Sequence, residues 1–123
     1  RVGVRVRMLT TGSPRSDDAM RAAAIARRYG ETLMSIGGVD DAPIGPEQLA
    51  VDGLLGTGHQ GDLRGDVAMA CAHLAAYRAR GATVVALDIP SGVDATTGDV
   101  STGAVRAHVT TTYGTIKRGL LVA

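Results

Sequence analysis

The stretch from Asp52 to Gly61, DGLLGTGHQG, decides how the rest of the chain is read, because an apolar run stops there and a glycine-rich loop begins. Val51, Leu54 and Leu55 make the run, and Gly56, Gly58 and Gly61 follow at GxGxxG spacing, which lets backbone amides approach a phosphate closely. Asp52 interrupts the run, and a carboxylate at the end of a buried strand is costly without a cation, a donor or a ligand. The same glycines also suit a tight strand-to-helix turn that holds nothing.

Upstream, Val2, Val4, Val6 and Met8 alternate with Arg1, Gly3, Arg5 and Arg7, the period of a half-buried strand, and residues 10–14 break it. Ser16 is placed to cap a helix whose first turn carries Asp17 and Asp18. Ala22, Ile25, Ala26 and Tyr29 recur at helical spacing, and Arg27, Arg28 and Gly30 close it. Residues 32–36 read as a short strand, 37–46 as a loop with glycine and two prolines, and 49–55 as the strand that leads into DGLLGTGHQG.

Downstream, Asp62 or Asp66 can cap a second helix with Leu63, Val67, Ala70, Cys71 and Leu74 on one face, ended by Arg78, Arg80 and Gly81. Residues 83–89, TVVALDI, are the clearest buried strand, and DIPSGVD comes directly after it. Residues 104–113 read as a further strand, succeeded by Gly114, Lys117, Gly119 and a last apolar piece, 120–123. Strands alternating with helices argue repeated βαβ units, an α/β fold whose mainly parallel sheet is covered on both faces. With no internal repeat or linker, residues 1–123 read as part of a single domain.

Composition sets bounds on partners. The 123 residues carry 13 Lys and Arg against 12 Asp and Glu, interspersed, for a net charge of +1, which excludes the one-sided basic surface of a nucleic-acid binder. No apolar run approaches the roughly 20 residues that span a bilayer, so no membrane partner is expected. The single Cys71 suits a reducing compartment, and the core must be built without Phe or Trp. The Ala, Gly, Arg and Val richness hints at a bacterial, cytoplasmic setting, and the start at Arg1 in mid-strand reads as a fragment.

In parallel α/β folds ligands bind beyond the carboxyl ends of the strands. That rule gathers residues 56–61, 89–98 and 114–119, which bring Asp52, Asp88, Ser91, Asp94, Thr97 and Lys117. Carboxylates with a lysine can do acid and base work, and carboxylates with backbone carbonyls can hold a hard cation; spacing leaves both open.

DGLLGTG at 52–58, ALDIPSGVDATTGDV at 86–100 and AVRAHVTTTYGTIKRGLLV at 104–122 resemble the NAD(P)H-hydrate epimerase family, also called the YjeF N-terminal domain family, with DIPSGVD the most specific part. The resemblance implies a Rossmann-like three-layer α/β/α domain, here incomplete at its N-terminus, that interconverts the R and S forms of hydrated NADH and NADPH (NADHX and NADPHX). It implies Asp52 and the Thr97 carbonyl as potassium ligands and Gly56, Thr57, Gly58, His59, Gln60, Gly61 and Asp62 as the loop contacting the dinucleotide. Asp94 would then lie at the hydrated ring as acid and base, with Lys117 as a second catalytic group. The family's NNGGD loop lies upstream of the first strand and is not among these residues, so the resemblance implies half a site. A homodimer and a fused, kinase-like dehydratase domain are the protein partners it admits.

Other readings stand beside it. GxGxxG with Asp88, 27 residues beyond Gly61, approximates the fingerprint of a nicotinamide dehydrogenase, but leaves Asp52 and DIPSGVD without a role. A non-catalytic scaffold of the same fold is the third reading. Ser91 reads as a turn residue rather than a nucleophile, since it lies in PSG and not in GxSxG. Asp88 reads as a loop anchor that accepts backbone amides, Cys71 as packing, and no pair of His59, His73 and His108 has metal-ligand spacing.

Overall fold

The computed structural model describes residues 6–38 and 48–123, and the chain forms two compact units, with 6–38 in the first and 48–123 in the second. The first is one βαβ unit. Strand β1 (Met8–Thr10) pairs in parallel with β2 (Leu33–Ser35), Met8 opposite Leu33 and Thr10 opposite Ser35. Between them runs α1 (Asp17–Arg28). The Ser16 hydroxyl accepts the Ala19 amide, Asp17 and Asp18 sit at the positive end of the helix dipole, and Arg27 and Arg28 at the negative end.

Two expectations shift here. The first strand begins at Met8 and runs through Thr10, where a break was expected, because β-branched Thr10 continues the parallel ladder to Ser35. The expected residues 1–5 of that strand lie outside the described residues, as do 39–46 of the expected loop. On α1 the buried position is Ala23, whereas Ile25 and Tyr29 are largely exposed, so the predicted apolar stripe is not the buried face. The strand expected over 32–36 is shorter by a residue at each end, and Ile36 opens a 3₁₀ turn (Ile36–Gly38).

The second unit is a three-stranded parallel sheet in the order β3 (Leu49–Asp52), β4 (Thr83–Leu87), β5 (Val109–Thr111). Leu49 faces Thr83 and Asp52 faces Ala86; Val85 faces Val109 and Leu87 faces Thr111. Helix α2 (Gly65–Ala79) crosses over between β3 and β4. Its Cys71 joins Val84 and Val105 in the core, with Leu63, Val67 and Leu74 packed against them, much as the apolar face predicted. The predicted caps are corrected. Arg64 holds the N-cap position without a side-chain hydrogen bond, and Asp66 instead lies in the first turn, where its charge meets the helix dipole.

β3 stops at Asp52 rather than 55 because the Asp52 carboxylate takes the Leu54 amide for itself (3.2 Å) and ends the ladder. The strand expected over 104–113 is reduced to β5. Residues 104–108 instead fold onto the sheet, with Val105 in the core, its amide on the Ser91 carbonyl, and the His108 ring accepting the Val84 amide at 3.0 Å. The last apolar piece forms a single turn, α3 (Gly119–Val122). All the described strand pairings are parallel, as an α/β Rossmann-like fold requires.

Candidate functional site

The three parallel strands of the second unit end on the same side, so the loops after β3, β4 and β5 collect there. At the base lies Asp52, only 1% exposed. Its Oδ1 accepts the Ser91 hydroxyl at 2.6 Å and the Leu54 amide, and its Oδ2 accepts the Ser91 amide at 2.8 Å. The Ser91 Oγ in turn accepts the Leu55 amide at 3.1 Å. These donors are neutral, so they solvate the buried charge without cancelling it. The charge is felt next door: burial first, and Asp52 second, push the Cys71 thiol up to about 11.

The β3 and β4 loops line an open cavity of about 220 Å³. His59, Gln60, Gly61 and Asp62 form one wall, and Asp94, Asp99, Val100 and Ser101 the other. Ser101 donates to the Gly61 carbonyl at 2.7 Å and links the walls, while His59 Nε2 lies 3.0 Å from the same carbonyl. The Asp94 wall is a tight hairpin, with Val93 bridging Val100 and the Asp94 amide on the Asp99 carbonyl. Asp94 Oδ1 accepts the Thr97 and Thr96 amides at 2.8 and 2.7 Å. Those two bonds, Thr97's first, hold its carboxyl below the usual range, with a small further pull from His59.

Lys117 lies elsewhere in the loop cluster. Its ammonium bonds the Asp88 carboxylate, the Thr112 hydroxyl (3.0 Å) and the Tyr113 carbonyl (2.6 Å). Asp88 has φ of 72°, the left-handed region that aspartate tolerates better than most residues, and its carboxylate also takes the Tyr113 amide at 3.2 Å. The Lys117 hydrogen bond, then the Tyr113 amide, lower the Asp88 carboxyl.

Of the residues singled out from sequence, His59, Gln60, Gly61, Asp62 and Asp94 share the cavity. Gly56, Thr57 and Gly58 are exposed on the approach to it and do not line it. Among the described residues no hydrogen bond joins Asp52 to Thr97, whose hydroxyl donates to Asp99 at 2.9 Å. Ser91, read as a turn residue, is the partner that Asp52 required. Asp99 and Ser101 were not anticipated as cavity residues, and their only sequence signal is proximity to Asp94. A larger hollow of about 720 Å³ lies between α2 and residues 100–106; it contains no residue predicted for the site.

Comparison with known proteins assigns the chain's family. The family described as YjeF-related protein N-terminus matches residues 1–119. The chain belongs to this family. The bifunctional NAD(P)H-hydrate repair enzyme Nnr of Pyrobaculum aerophilum is 36% identical over 97% of the chain and 24% of its own length. The NAD(P)H-hydrate epimerase of Cenarchaeum symbiosum is 29% identical over 96% of the chain and 55% of its length. The bifunctional repair enzyme Nnr of Mycobacterium tuberculosis is 36% identical over 77% of the chain and 18% of its length. The chain thus spans from about a fifth to just over half the length of these relatives. In this YjeF N-terminal sequence, DIPSGVD is the segment that carries both Ser91, the partner of Asp52, and Asp94 of the cavity wall.

Proposed function

We propose that this chain is the epimerase part of NAD(P)H-hydrate repair, interconverting the R and S forms of NADHX and NADPHX. The observation that carries the reading is Asp94, fixed by two amides on the wall of a cavity whose opposite wall is residues 59–62. The curated relatives named for this activity support it.

Inversion at C6 breaks the C6–O bond and remakes it on the other face. A proton must reach the departing hydroxyl, which leaves as water, and a base must take a proton from the water that returns. The ring nitrogen's lone pair replaces the lost bond, so positive charge develops on the ring. A cavity lined by Asp62, Asp94 and Asp99 suits such a cation and repels phosphates. The dinucleotide's phosphates are then best served by the exposed amides around Gly56, Thr57 and Gly58. Asp94 rests as carboxylate, so it must first take a proton from solvent; it gives that proton to the departing hydroxyl and, a carboxylate again, takes one from the returning water.

Potassium is the cofactor of this reading. Asp52 fits it: a buried carboxylate with only neutral donors on it, and with Oδ2 able to take a second partner beyond the Ser91 amide. Among the described residues no group of three or more His, Cys, Asp and Glu gathers as a transition metal would need. Asp52 and the Thr97 carbonyl would hold the ion, which would supply a fixed positive charge beside the buried carboxylate. The reading also takes residues 1–123 as part of a single domain, with a bacterial cytoplasmic setting, a homodimer and a fused dehydratase domain. No helix of the described residues is long and apolar enough to cross a membrane.

The dehydrogenase reading is weakened, since Oδ1 of Asp88 already takes Lys117, Thr112 and Tyr113. The test is to supply one NADHX epimer and monitor the other by chromatography alongside absorbance. Equilibration without net redox change supports the epimerase; net hydride transfer supports the dehydrogenase, and tight binding without conversion supports the scaffold.

A further inference from the structure

We propose that Lys117 is a positioning residue, a strut that ties the ends of β4 and β5 to the Asp94 hairpin, rather than a group that meets the substrate. The inference deepens the epimerase reading and rests on it for its kinetic arm.

The first support is that the ammonium is fully used. A lysine ammonium has three N–H donors and no acceptor. Here the three acceptors are the Asp88 carboxylate, the Thr112 hydroxyl and the Tyr113 carbonyl. No donor remains for a ligand, and the ammonium is ion-paired with Asp88. The residue is 15% exposed, so exchanging these partners for water is also hindered.

The second support lies two residues further along the chain. The Gly119 amide donates to the Ala95 carbonyl at 2.8 Å. A Cβ on Gly119 would lie 2.1 Å from the Asp94 carbonyl oxygen, and 2.9 Å from the Ala95 carbonyl carbon, so backbone lies directly on backbone there. Gly98, with φ of 82°, meets the same turn from the other side: a Cβ there would lie 2.5 Å from Val122 Cγ2. The α3 turn therefore packs onto the hairpin that presents Asp94, while Lys117 pins the start of that turn to the sheet. Asp88 belongs to the same device, since its left-handed backbone aims its carboxylate at both Lys117 and the Tyr113 amide.

A strut and a substrate ligand respond differently to mutation. The experiment uses the full chain with Lys117→Met, which keeps the stem and removes the donors, and Lys117→Arg, which restores a cation for Asp88. Kinetics of epimer equilibration are combined with hydrogen exchange at the Thr96 and Thr97 amides. The strut predicts that Lys117→Met lowers kcat by roughly 100-fold, as about 1 Å of misplacement would, with KM nearly unchanged. It also predicts faster exchange at Thr96 and Thr97, and partial recovery of both readouts in Lys117→Arg. Asp88→Asn, whose side chain tolerates the left-handed backbone, should reproduce the pattern and serves if Lys117→Met does not fold. A raised KM at unchanged kcat, or lost activity with amide protection intact, would overturn the strut. Should the parent protein fail to equilibrate the epimers, the epimerase reading falls, and the exchange comparison alone decides on the strut.

Discussion

Asp52 shows how much one side chain can require of its surroundings. A buried carboxylate costs several kcal/mol unless it is given partners, and the chain supplies two from a strand away, the amide and hydroxyl of Ser91. Removing that hydroxyl in Ser91→Ala deprives both Asp52 and the Leu55 amide of a partner. We expect a loss of roughly 2 kcal/mol, the scale of a buried group left unsatisfied, read as a lower urea midpoint; an unchanged midpoint would contradict the pairing. The need for a partner was legible in the sequence as a charge inside an apolar run. Its identity was not, because Ser91 lies 39 residues away and meets Asp52 only through the parallel register of Asp52 with Ala86.

Elements differ in the same way. The β4 strand and α2 could be read from β-branched content and helical spacing, since both bury one continuous face. β5 and the caps of α2 could not. Residues 104–108 have strand-like composition, yet Ala104 must settle against Gly92 and Val105 must enter the core, which takes the backbone off the ladder. The cavity was half legible: glycine spacing marked the loop ending at Gly61 and the family resemblance implied 59–62 and Asp94, whereas Asp99 and Ser101 joined through the hairpin geometry of 93–100. On α2 itself, Cys71 is buried with its thiol pushed up to about 11. Native protein at pH about 8 should therefore react with a thiol reagent far more slowly than unfolded chain, whose cysteine ionises near its ordinary value. Equal rates in native buffer and in denaturant would show that the helix does not shield it.

For the chain as a whole, two lowered carboxyls link stability to acid. Asp88 and Asp94 both titrate below the ordinary range in the folded state. Their contribution is thus present above about pH 4 and is lost as pH falls through the lowered values. The urea midpoint should decline on acidification through that window, and Asp88→Asn should flatten the decline; a variant with the parent's full acid dependence would remove Asp88 from the account. In the proposed epimerase reading, function rests on Asp94 rather than Asp88. The measurement that tests it most directly is the equilibration of a single NADHX epimer by the parent protein and by Asp94→Asn. Asparagine keeps an oxygen for the Thr96 and Thr97 amides, so the hairpin persists while the proton carrier is lost. The account predicts rapid equilibration by the parent, and a variant that still binds NADHX but leaves the epimers unequilibrated; a variant as fast as the parent would contradict it.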